Sequence, residues 1–169
     1  MNLDIKIGKY FDKCLDIFSD AGIVLPKDAT INIYHHLGKE NIDEFGACFI
    51  NVVNRDYCKS YVVMIEGQEY PNHYHRIKTE SFYVLYGDLH VVLDGEKIEL
   101  TAGEMLHVER EQDHSFGSLH GVVFEEISTM YVPNDSIYLD DNVKNTTYEQ
   151  RRTTIKAFEW KEIRESCRK

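Results

Sequence analysis

From Ile31 onward the chain is a succession of short segments rich in Val, Ile, Phe and Tyr, separated by turn residues: FGACFINVV, YVVMIEG, ESFYVLYG, LHVVL, KIEL, EMLHVE and GVVFEEIST. No helix-length periodic segment lies between them, so consecutive strands must pair antiparallel and close on themselves as a sandwich or barrel rather than alternate with helices in a parallel sheet. Asp94-Gly95, between LHVVL and KIEL, marks a tight hairpin, because both central positions of its turn favour positive φ. Helices are expected only at the ends. Ile7, Tyr10, Phe11, Cys14, Leu15 and Phe18 recur at helical spacing, predicting an amphipathic helix over Ile5 to Ser19 that Ala21-Gly22 terminates. The segment from Tyr148 to Lys169 reads as a strand followed by a short helix.

The 169 residues fit one domain: a helical lead-in over 1–30, a β-barrel over 31–146 and an extension over 147–169. Net charge is −10, which argues against nucleic acid or an anionic membrane surface as partner, because both require a basic footprint. No apolar run approaches the roughly 20 residues of a membrane helix, and the first residues form no signal-peptide core, so a cytoplasmic protein is expected. Cys14, Cys48, Cys58 and Cys167 show no C-x-x-C spacing and read as free thiols.

Chemistry concentrates in GQEYPNHYHRIKTESFYVLYG, from Gly67 to Gly87. On an extended strand alternate side chains share a face, so His73 and His75 point together while Tyr74 points away. Glu80, arriving on the next strand after the turn RIKT, closes on the same point. His114, downstream in GEMLHVEREQDHSFGS, supplies a fourth group. Three neutral imidazoles and a carboxylate suit Mn, Fe, Co, Ni or Zn, with Mn taken as the expected ion. His35, His36, His90, His107 and His120 show no such spacing and read as hydrogen-bonded or surface side chains.

These positions match the first cupin motif, G-x5-H-x-H-x4-E-x6-G, at Gly67, His73, His75, Glu80 and Gly87. The second motif, G-x5-P-x-G-x2-H-x3-N, is met at Gly103 and His114, with Glu109, Glu111 and Ser118 where Pro, Gly and Asn usually stand. The chain therefore resembles the cupin superfamily, which implies an all-β, cupin-type jelly-roll β-barrel around an internal metal, with short N- and C-terminal helical segments. AGIVL, RDYCKSYVVMIEGQEYPNHYH, GVVFEEIST and NDSIYLDD are further similar to D-lyxose isomerase-type sugar isomerases. ESFYVLYG, FEEIST and RRTT also resemble cupins associated with sialic acid synthases.

The isomerase resemblance implies a small-molecule sugar substrate whose O1 and O2 a metal chelates while a base moves a proton between C1 and C2. It points to Glu126 as that base, whereas strand alternation alone leaves Glu125 or Glu126 inward. Lys78, in a K-x-E spacing with Glu80, is a candidate cation beside the developing charge. Among the aromatic residues that either fill the barrel or contact a sugar, Tyr86, Phe82 and Phe116 are the candidate substrate contacts. Family resemblance also implies a homodimer. Two other readings use the same ligands: a non-haem iron dioxygenase, and a non-catalytic sugar-binding cupin serving sialic acid or surface-polysaccharide biosynthesis.

Overall fold

Residues Val62 to Met64 and Val122 to Phe124 are apolar without interruption, the pattern of strands buried on both faces. The structure, a computed structural model described here over residues 4–160, shows why. Val62, Met64, Val122 and Phe124 face the interior of a curled sheet with Phe49, Tyr70, Phe82 and Phe116. Val63 and Val123 point the opposite way, against the N-terminal helix.

That helix, α1, spans Ile5–Asp20. The Asp4 carboxylate accepts from the Lys6 N–H at its start, and the chain leaves it through Gly22 at φ +71°, close to the predicted bounds. Ile7, Tyr10, Phe11, Cys14 and Phe18 form its buried stripe. Each large apolar side chain withdrawn from water contributes about 1.5–3 kcal/mol, which fixes α1 across the outer face of the sheet.

The strands follow as β1 (Thr30–Tyr34), β2 (Ala47–Asn54), β3 (Tyr57–Met64), β4 (Glu69–His75), β5 (Glu80–Leu93), β6 (Glu96–Thr101), β7 (Met105–Val108), β8 (His114–Gly117), β9 (Val122–Thr129), β10 (Ser136–Tyr138) and β11 (Arg152–Lys156). All pairings among them are antiparallel, in the order β10-β4-β8-β5-β9-β3-β2-β1-β11, with β6 and β7 also on β5. This is a jelly-roll sheet, mostly strand with few helices. The Asp94-Gly95 turn has both residues at positive φ, +49° and +84°, and pairs Leu93 with Glu96.

Two points differ from the sequence reading, and the C-terminal end agrees with it as far as it is described. ESFYVLYG and LHVVL form one 14-residue strand rather than two. A one-turn helix, α2 (Asp141–Lys144), and a 3-10 turn (Lys39–Asn41) interrupt the region expected to be strands and loops alone. At the C-terminal end β11 pairs with β1, residues 157–160 are helical, and the remainder of the expected helix, with Cys167, lies outside the described residues. No helix among the described residues is long and apolar enough to cross a membrane.

Candidate metal centre

β4 builds the centre through an irregularity. Its pairing with β8 shifts between Tyr70 and His73, at Pro71, which has no N–H to give a ladder. The shift lets Tyr70, His73 and His75 all face inward although their numbering alone would divide them. His73 sits directly opposite His114 of β8, and Glu80 enters from the start of β5. All four side chains are buried, and one ligand atom from each lies within 4.8 Å of every other.

The imidazoles are held in one tautomer. His73 Nδ1 lies 3.0 Å from the Pro71 carbonyl oxygen, His75 Nδ1 3.1 Å from that of Asp135 and His114 Nδ1 3.0 Å from that of Gln112. A carbonyl oxygen only accepts, so each Nδ1 carries the proton and each Nε2 is left as a lone pair. His75 Nε2 then faces Glu80 Oε1 at 3.4 Å, and His114 Nε2 faces Oε2 at 3.3 Å. Both nitrogens are buried without a hydrogen-bond partner. Lone pairs opposed in this way repel unless a cation lies among them, so the donor set fits a divalent metal. Burial, followed by the neighbouring His114 and His75 rings, holds the His73 pKa well down and keeps it in the neutral, ligating form.

Glu111, where the second motif usually has Gly, adopts φ +63°, and its N–H donates to the His75 carbonyl at 2.7 Å. The turn thus keeps the left-handed conformation a glycine would supply, and the motif departures leave His114 in place.

A cavity of about 470 Å3, within the range of small-molecule pockets, is lined by three of the four ligands, His73, His75 and Glu80. Lys78 and Glu126 line it with them. Glu126 stands opposite Phe82 on β5 and Ser60 on β3, and its Oε1 lies 3.5 Å from Lys78 Nζ. Lys78 also pairs with Glu80. Glu125, one residue earlier, points the other way and pairs with Lys59 at 2.7 Å.

Burial, reinforced by the Glu80 carboxylate, raises the Glu126 pKa above the usual range. Burial works against the charge on Lys78, but the Glu126 and Glu80 carboxylates outweigh it and hold its pKa above the ordinary lysine value. The turn carrying Lys78 is itself fixed. Buried Asp135 accepts the N–H groups of Arg76, Ile77 and Lys78 at 3.1, 3.1 and 2.9 Å.

The aromatic candidates separate. Phe116 lines the cavity. Phe82 is fully buried in the core, 5.2 Å from Phe124 and 5.5 Å from Phe116 between ring centroids. Tyr86 does not share the inward face: the ladder to β9 shifts between Val84 and Tyr86, and the tyrosine is turned outward, 39% exposed. Parity counted from Glu80 fails there because a bulge inserts one residue and inverts the alternation.

His35, His36, His90, His107 and His120 bond instead to Thr153, Tyr138, Glu69, Ser81 and Asp88. Sequence reasoning missed Tyr34, Tyr138, Tyr148, Arg151 and Arg152, all of which line the cavity. The RRTT run was visible in the sequence, but only the β1–β11 pairing brings it to the site.

Residues 60–124 match the family described as Cupin domain. The D-lyxose/D-mannose isomerase of Thermosediminibacter oceani is 24% identical across 82% of this chain and 93% of its own length. Quercetin 2,3-dioxygenase of Bacillus subtilis is 39% identical over 51 residues, which span 30% of this chain but only 15% of that protein. Among solved structures, the L-ribose isomerases of Geodermatophilus obscurus and Cellulomonas parahominis each superpose with a TM-score of 0.68, at 12% and 13% identity. The matches cover 82% and 83% of this chain and 93% and 94% of theirs, and they establish the shared fold.

Proposed function

We propose that this cupin-fold chain is a metal-dependent sugar ketol-isomerase. The observation that carries the reading is the placement of Glu126 and Lys78 on the wall of the cavity that His73, His75 and Glu80 also line, with His114 completing their ligand group, together with the similarity to the lyxose/mannose isomerase over most of both chains. His73, His75, Glu80 and His114 would hold the ion. A divalent metal bound there supplies Lewis acidity toward the adjacent oxygens at the reacting end of an open-chain sugar.

The chain's own groups supply the rest. Glu126, with its pKa raised, removes the proton from C2 and returns it to C1, a shuttle that requires a base poised nearer neutrality than an exposed carboxylate. Lys78 places a positive charge beside the oxygens on which negative charge develops. Asp135 holds Lys78 in place by gathering the N–H groups of its turn. Glu125 takes no part, because Lys59 engages it away from the cavity.

The test is solvent hydrogen exchange at C1 and C2 in heavy water, followed by NMR across aldoses and ketoses with protein of defined metal content. Exchange that disappears in His114→Ala and Glu126→Gln is the expected result. No exchange from any sugar at stoichiometric metal overturns the reading. Manganese as the ion, a D-lyxose-type substrate, a homodimer and cytoplasmic residence accompany it as finer proposals; elemental analysis, the sugar panel, sedimentation and fractionation test them in turn. The local likeness to quercetin 2,3-dioxygenase supports a second reading, iron-dependent oxygenation, which oxygen uptake by iron-loaded protein would reveal.

A further inference from the structure

The wall of the cavity carries two guanidinium groups that the isomerase chemistry does not use. Arg151 stacks over the Tyr138 ring at 4.6 Å, and Tyr138 in turn stacks on His73 at 5.2 Å between centroids, with planes 26° apart. Arg152 stacks over the Tyr148 ring at 3.6 Å and donates to its hydroxyl. Both arginines line the central cavity and also an adjoining depression, where Lys144 and Glu149 join them.

Stacking on a tyrosine face fixes the plane of a guanidinium while leaving donors at its edge free, the arrangement used to bind carboxylate or phosphate. Neither guanidinium has a carboxylate within ion-pair distance among the described residues, although every other cation lining the two depressions does: Lys78 pairs with Glu80 and Glu126, and Lys144 with Asp141 at 3.1 Å. The chain carries net charge −10 and does not lack acidic side chains. Two arginines on one cavity wall with no carboxylate partner among the described residues are therefore suited to holding an anion.

We infer that the substrate is an anionic sugar, bearing a phosphate or carboxylate at the end remote from the metal, and that Arg151 and Arg152 clamp that group. Only the Tyr138 ring separates Arg151 from the His73 ligand, a span that an open-chain sugar bound at the metal end bridges with its far terminus. Arg76 and Lys78, the cations nearest the histidine motif in sequence, are not the clamp, because Lys78 is engaged by two carboxylates and Arg76 does not line the cavity. The inference names the substrate class for the isomerase reading and rests on it only for which end of the sugar faces the metal.

Calorimetric titration of the metal-loaded protein tests it without turnover. Ribose 5-phosphate is compared with ribose, and galacturonate with galactose. At least one charged sugar should bind tenfold or more tightly than its neutral parent, and which one does so distinguishes phosphate from carboxylate. In Arg151→Gln/Arg152→Gln the advantage should vanish, whereas Arg152→Lys, which keeps the charge, should retain part of it. Equal affinity within both pairs overturns the clamp. So does an advantage that persists in the double glutamine variant, since the anion would then be binding at the metal. Arginine-dependent binding with no C1 or C2 exchange would leave the clamp standing and overturn the isomerase reading; exchange of neutral sugars alone, unaffected by either arginine, would do the reverse.

Discussion

Two adjacent glutamates differ in everything that matters at the site. Glu126 faces the cavity with its pKa raised by burial, and Glu125 faces Lys59. Glu126→Gln is therefore expected to lower kcat by about 10²–10⁴, the usual weight of a general base, with KM little changed. Glu125→Gln should stay within a few-fold of the parent, and comparable losses in both variants would show that neither carboxylate is the base. The pair also marks how far single residues were legible in the sequence. Alternation identified the His73/His75 face and its partners because ligand spacing on a strand is geometry, but it could not choose between Glu125 and Glu126, since a one-residue change of register inverts both. Arg151 and Arg152 were less accessible still. They lie more than 70 positions from His75 in sequence, as the numbering shows, and only the pairing of β11 with β1 gives them a place.

Strand bulges decide which residues each element presents. The shift in β4 brings Tyr70 and His73 inward together, while that in β5 turns Tyr86 out. A period-2 reading is correct between such points and wrong across them, which is why the ligands were legible and the tyrosine was not. Gly87 belongs to the second irregularity. It adopts φ +80°, and a Cβ there would clash with the carbonyl oxygen of Gly121, at the start of the adjacent β9. Gly87→Ala must either move β5 away from the start of β9 or accept both the clash and the disfavoured φ, and a loss of about 3 kcal/mol or more is expected. Urea unfolding measures it; a loss below 1 kcal/mol would mean that the two backbones are not held so closely. Asp135→Ala acts on the neighbouring turn by leaving the Arg76, Ile77 and Lys78 N–H groups without their acceptor. About 2 kcal/mol of stability should be lost, and kcat should fall through displacement of Lys78.

The fold buries His36, His73, His75, Glu80 and His114 away from water, and this couples its stability to solution conditions. A metal bound only by the folded chain adds about 4 kcal/mol when its concentration is a thousandfold above Kd, so chelation should lower Tm by several degrees and readdition should restore it. The chelated protein should retain a second dependence, on pH. His36 is buried, its Nε2 2.9 Å from the Tyr138 hydroxyl; burial first, then the charge of Arg151 and the neighbouring His35, hold its pKa down to about 3. In the unfolded chain the same group titrates near 6.5, as roughly expected of any exposed histidine. Between these values the unfolded state binds one more proton than the folded state, so stability is greatest above pH 6.5 and falls on acidification by about 1.4 kcal/mol per pH unit from this group alone. His36→Gln cannot take up that proton and can still donate toward Tyr138. Urea unfolding of chelated protein between pH 6 and 4 should therefore show a slope shallower by that amount in the variant. Parallel slopes would mean that His36 accepts its proton in the folded state despite the Arg151 guanidinium beside it.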